Sequence, residues 1–234
     1  MEHPLVKELL KHRNKEKAAF FPRFFRTGKG EYGEGDVFIG VTIPHLRSIA
    51  KNYRTISLKE VEGLLKDKRH EVRWCALYIL VEQFKKGDEA TKKKIYEFFL
   101  DHLKWVNNWD LVDSSAYHIV GEYLMDKDRK ILRKMAKSKH LWTERVAMVS
   151  TFAFIRKGQL QDTFEIAEMF LPHKHDLMHK AAGWMLREAG KRNEVALMRF
   201  LDENAPVMPR TMLRYAIEKF DEKERKRYLL MKQL

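Results

Sequence analysis

One cysteine in 234 residues leaves no disulfide to form within the chain. Cys75 is set in "VRWCALYILV" with no histidine partner in view, so it reads as a small buried hydrophobe in a reducing environment, not as a nucleophile. No apolar run approaches the ~18–20 residues that span a bilayer, so no membrane role is expected. The opening "MEHPLVKELLKHRNKEK" has no continuous apolar stretch followed by a small-residue cleavage site. It therefore predicts no secretory leader and a cytoplasmic protein. Strand patterns are equally scarce. Only "DVFIGV", Asp36 to Val41, looks extended, and it follows the glycine-rich "TGKGEYGEG".

What remains is helical. Apolar residues recur three and four apart, broken by short polar turns, and about a dozen helices of ordinary length are expected. Ser57 and Glu60 make a capping box that opens one of them. Gly87-Asp88, Gly158-Gln159 and Pro206 mark further breaks. The balance of charge is basic: 46 Lys+Arg against 33 Asp+Glu leave +13, and the pI is near 9.6. Such an excess favours a polyanionic partner.

The helices repeat. "HEVRWCAL", "VNNWDLVD", "WTERVAMV", "LMHKAAGW" and "TMLRYAIE" align on Arg73, Trp109, Arg145, Lys180 and Arg214, at intervals of 36, 36, 35 and 34 residues. A period in this range, with two helices per unit, predicts an all-α fold: a HEAT-like α-solenoid, one domain over residues 1–234. Equivalent positions in stacked repeats form a column, here Arg, Trp, Arg, Lys, Arg. Two readings of that column stand open. It is a stripe of cations for a nucleic-acid backbone, or a ladder of polar residues pairing between neighbouring units. Its interruptions favour the first. Trp109 replaces a cation and is followed one turn later by Asp113; Trp184 stands one turn after Lys180.

A carboxylate facing phosphates costs binding energy, so Asp113 needs another use. Cleavage of an N-glycosidic bond passes through an oxocarbenium-like sugar, which a nearby anion and electron-rich indole faces stabilise. Asp113 is equally suited to orient a water as general base.

At these residues the chain resembles the AlkD-type DNA alkylation repair family, HEAT-like DNA glycosylases. The resemblance runs over nearly the whole chain and includes "FFRTGKGEYGEGDVFIGVTIPHLR", "NNWDLVDSSA", "WTERVAMV" and "AAGWMLRE". It implies excision of cationic N-alkylated bases such as 7-methylguanine and 3-methyladenine from duplex DNA. It further implies Trp109, Asp113 and Trp184 at the lesion's deoxyribose and Arg145 on the phosphate backbone. The family need not draw the base into a pocket, because a cationic base is already a good leaving group. It also brings an aromatic residue from the N-terminal helices near the lesion, and Phe20, Phe21, Phe24 and Phe25 are the candidates. No lysine stands out as a Schiff-base nucleophile, so a monofunctional enzyme, monomeric and without cofactor, is expected. Its DNA contacts would come from Arg73, Arg145, Lys180 and Arg214. The rivals are a non-catalytic DNA-binding scaffold and a solenoid whose basic face meets an acidic protein.

Three further features have simpler readings. The cluster His173, His175, His179 lacks a carboxylate or cysteine to close a zinc site, and a helix start facing phosphates accounts for it. Asp110 beside Asp113 falls in the first turn of its helix, where an acid favours the dipole. Trp105 and Trp142 lack the register of the column and read as packing residues.

Overall fold

The computed structural model describes residues 2–231, and these are all-α: fourteen α-helices, α1 to α14, with no β-strand among the described residues. The chain divides into two compact units, Met1–Ile119 and Val120–Leu234. The first holds α1 (Pro4–Lys11), α2 (Lys15–Phe24), α3 (Ile43–Lys51), α4 (Leu58–Leu65), α5 (His70–Lys86), α6 (Glu89–Asp101) and α7 (Trp109–Ala116). In the second are α8 (Lys130–Ala136), α9 (Leu141–Arg156), α10 (Gln161–Met169), α11 (Asp176–Gly190), α12 (Glu194–Asn204), α13 (Arg210–Ala216) and α14 (Glu222–Leu230). No helix among the described residues is long and apolar enough to cross a membrane.

Each unit is built on one helix buried on nearly all sides. In the first this is α5, whose Val72, Trp74, Cys75, Ala76, Leu77, Ile79, Leu80, Val81 and Phe84 are all buried. It packs on α3, α4, α6 and α7. Cys75 is fully enclosed and burial pushes its thiol far up, as befits a packing residue. In the second unit α9 has the same role, touching α8, α10 and α11, while α11 packs in turn on α13. The alternation is regular. Arg73, Trp109, Arg145, Lys180 and Arg214 fall on α5, α7, α9, α11 and α13, one on every second helix, as the 34–36-residue repeat requires.

The helix boundaries have local causes. Ser57 Oγ accepts from Glu60 N–H (3.3 Å), and Glu60 Oε2 accepts from Ser57 N–H (2.8 Å), closing the expected capping box of α4. Gly87 ends α5, and Asp88 caps α6 by accepting from Thr91 N–H at 2.8 Å. Gly158 follows α9 with φ +75°. Pro206 lies just beyond α12. The segment read as extended is extended, but it makes a docking strap instead of a strand. Val37 forms an isolated parallel bridge to Arg69, and Ile39 and Gly40 donate their N–H groups to the Glu71 carboxylate.

Candidate functional site: an aromatic and carboxylate cleft

The helix α7 starts at Trp109 because Asn108 caps it: Asn108 Oδ1 accepts from Trp109 N–H at 2.8 Å. The first turn carries Trp109, and the second carries Asp113 on the same side. Both line a cleft of about 1060 Å³ in the first unit, together with Phe20, Phe24, Phe25, Trp74, Tyr78 and Asp110. The chain beyond α7 widens into a π turn, Tyr117–Gly121, a local feature often found beside functional positions.

Four phenylalanines competed in sequence for the place next to the indole, and the geometry selects two. Phe25 stacks on Trp109 with ring centroids 5.6 Å apart at 19°, and Phe24 meets it edge-on at 5.8 Å. Phe20 and Phe24 are 59% and 52% exposed, on a helix that buries none of its own residues. Large rings left so open on one face are an anomaly that burial alone does not explain. Phe21 turns away, edge-on to Phe25 and Phe38.

Behind this wall is a charged cluster, buried at His70, Asp36 and Arg73 and reaching the cleft at Asp110. His70 opens α5. Its Nδ1 is 3.0 Å from Asp36 Oδ2 and its Nε2 is 2.8 Å from Asp110 Oδ2. Arg73 Nη2 donates to Asp36 Oδ1 at 2.6 Å, Arg73 Nη1 donates to the Asp67 carbonyl at 3.0 Å, and Asn107 Nδ2 donates to Asp36 Oδ1 at 3.2 Å. Burial pushes the Asp36 carboxyl up, but the bond from His70 and the charge of Arg73 outweigh it and hold the group below the usual carboxylate range. The imidazole answers in kind. Burial lowers its affinity for a proton; the Asp110 charge and the bonds to both carboxylates reverse this and raise its pKa to about 9.

The column of cations therefore divides. Arg73, expected on DNA, is 3% exposed and its guanidinium is committed to Asp36 and to the Asp67 carbonyl. It belongs to the polar ladder, the second of the two readings. A buried cation next to a buried carboxylate is held there because removing either would strand the other. Arg145 is 4% exposed and donates to the Leu177 carbonyl at 2.6 Å, tying α9 to the start of α11. Lys180 and Arg214 reach the surface; Lys180 pairs with Asp176 at 2.6 Å. In the second unit Trp184 is half-buried on α11, 5.9 Å from the ring of Phe152.

The histidine cluster is occupied by local bonds. His173 Nε2 is 3.1 Å from Glu144 Oε2, His175 Nδ1 accepts from Leu177 N–H as the cap of α11, and His179 Nε2 meets the His173 carbonyl. Trp142 is core, as read. Asp110 is in the first turn, as read, and one of its oxygens is also bound to His70.

A family model described as DNA alkylation repair enzyme matches residues 5–220. The chain belongs to the DNA alkylation repair enzyme family. A solved structure, a predicted DNA alkylation repair enzyme from Enterococcus faecalis, is similar to this chain with a TM-score of 0.73 and 17% identity, covering 90% of this chain and 98% of the other. At that identity the likeness speaks for the fold. No match was found among curated proteins.

Sequence reasoning missed the His70 cluster, because its members lie at 36, 70, 73 and 110 and no spacing joins them. The motif "HEVR" already held two of its chemical groups, His70 and Arg73.

Proposed function

We propose that the protein is a monofunctional DNA glycosylase that hydrolyses the N-glycosidic bond of cationic N-alkylated purines, 7-methylguanine and 3-methyladenine, in duplex DNA. One observation carries the proposal: Trp109, backed by Phe24 and Phe25, stands one turn from Asp113 on the wall of an open cleft. An aromatic face and a carboxylate beside the sugar favour the positive charge as it moves from the base onto the sugar in the transition state. When the C1′–N bond breaks, its electron pair goes to the base, which leaves neutral, and the positive charge passes to the sugar. Asp113 stabilises that charge and is placed to take the proton of the water that captures it. Trp109 packs on the sugar. Departure needs no acid to protonate the base, so a neutral base such as uracil is a poor substrate.

In this reading the enzyme acts as a monomer on DNA, and both compact units serve a single HEAT-like domain. Lys180 and Arg214, both reaching the surface, supply positive charge for the phosphates, while Trp184 at the deoxyribose and Arg145 on the backbone are assigned by resemblance. Arg73 leaves the set of DNA contacts because its charge is taken by the buried Asp36 carboxylate. The open aromatic face favours the enzyme over a scaffold, since a scaffold has no need of a carboxylate beside phosphates.

The test is release of 7-methylguanine from methylated duplex DNA under single-turnover conditions. Asp113→Asn should slow release by about 100-fold or more while leaving DNA affinity equal or tighter. Equal rates would remove Asp113 from the chemistry. No release by either protein, with DNA still bound, would favour the scaffold.

A further inference from the structure

We propose that His70, clamped between the carboxylates of Asp36 and Asp110, is the positioning residue that holds Trp109 and Asp113 in their working orientation. Both ring nitrogens face carboxylate oxygens, at 3.0 and 2.8 Å, and a carboxylate can only accept. A neutral ring would turn one bare nitrogen towards an anion, so the ring carries both protons. Charge counting agrees. Asp36 and Asp110 bring two negative charges and Arg73 one positive; an imidazolium makes the buried set neutral. The titratable groups facing the ring are these three: Asp36 from the strap, Asp110 from α7 and Arg73 from its own helix.

The clamp reaches the working residues by two routes. Asp110 directly follows Trp109 and lies one turn before Ser114, beside Asp113, so its bond to His70 fixes the rotation of α7 about its axis. The second route is through rings. Phe25 lies 4.8 Å from His70 on one side and stacks on Trp109 at 5.6 Å on the other. Phe38 stacks against both His70 and Phe25, at 4.9 and 5.0 Å. Losing the second proton turns a bare nitrogen on a carboxylate, and the first turn of α7 is what can move away. Asp110 Oδ1 has no hydrogen-bond partner among the described residues, so nothing else fastens that side chain.

The functional readout of this inference rests on the glycosylase reading; two readouts on the protein alone do not. Nitrogen-15 NMR of the wild type should find His70 protonated at both nitrogens at pH 7. The emission of Trp109, taken as the difference from Trp109→Phe, should change in one titration near pH 9 that is missing from His70→Gln. His70→Gln should also slow single-turnover release by about tenfold or more with DNA affinity within about twofold, the pattern of lost orientation and not of lost binding. Asp110→Asn is the second variant and should give the same loss without adding to it. A His70 ring with one bare nitrogen at pH 7, or a Trp109 emission that titrates identically in His70→Gln, would overturn the inference. If the wild type releases no base, the glycosylase reading fails and the emission titration still decides this one.

Discussion

Arg73 donates to the buried Asp36 carboxylate, and its charge is spent inside the protein. Arg73 and Arg214 look alike in the aligned repeats, yet one is an internal strut and the other a surface cation. Removing the strut leaves Asp36 less compensated, so Arg73→Ala should cost about 3–5 kcal/mol in chemical denaturation and leave the salt dependence of DNA binding as it was. A loss of salt dependence without a loss of stability would return Arg73 to the DNA interface. His70 gives stability a pH dependence of definite sign. Its pKa stands at about 9 against an ordinary 6.5, so the folded state binds the proton more tightly than the unfolded chain. The stabilisation is complete below about pH 6.5 and is lost as pH rises through 9. The urea midpoint of the wild type should therefore fall between pH 7 and about pH 10 more steeply than that of His70→Gln. Parallel curves would mean that the ring is neutral in the folded protein.

At the scale of elements, the capping signals could be read directly. Ser57 and Glu60 act within a few residues of themselves, so their chemistry is visible in the local string, and Gly87-Asp88 was legible as a break. The glycine-rich segment and "DVFIGV" could not be read that way, because both do their work against distant parts of the chain. Gly33 lies so close to the Phe25 carbonyl and to Asn108 that a Cβ would sit 2.7 and 2.9 Å from them. The segment thereby buttresses the residue that caps α7. Gly40 is stricter still, with φ +84° and the Asn14 carbonyl 2.1 Å from a Cβ built there. Gly40→Ala should destabilise the protein by about 2 kcal/mol or more, from left-handed backbone strain and displacement of the α2 cap. A thermal midpoint unchanged by that substitution would show that the strap does not hold α2. The aromatic wall was half legible: four phenylalanines were nominated, and only the fold could say that Phe24 and Phe25 are the two on Trp109.

Across the whole molecule, the repeat was the most legible property. Intervals of 34–36 residues need only that each unit bury the same faces, and the five aligned positions do fall on alternate helices. Net charge was legible too, but not its distribution, since 3–4% exposure at Arg73 and Arg145 comes from packing that the period does not record. The half-buried Lys180 and the exposed Arg214 should each contribute about 0.9 to the slope of log K against log salt. Substituting both by alanine should flatten the slope by about 1.8, and an unchanged slope would place the DNA elsewhere. The central claim is that this family member breaks a glycosidic bond, and product identity tests it most directly. Methylated duplex should be incubated with the wild type and both fractions analysed by mass. The account predicts free 7-methylguanine and one abasic site in an uncut strand for each base released. A strand in which unmodified guanine has been restored, or one returned fully methylated, would contradict it.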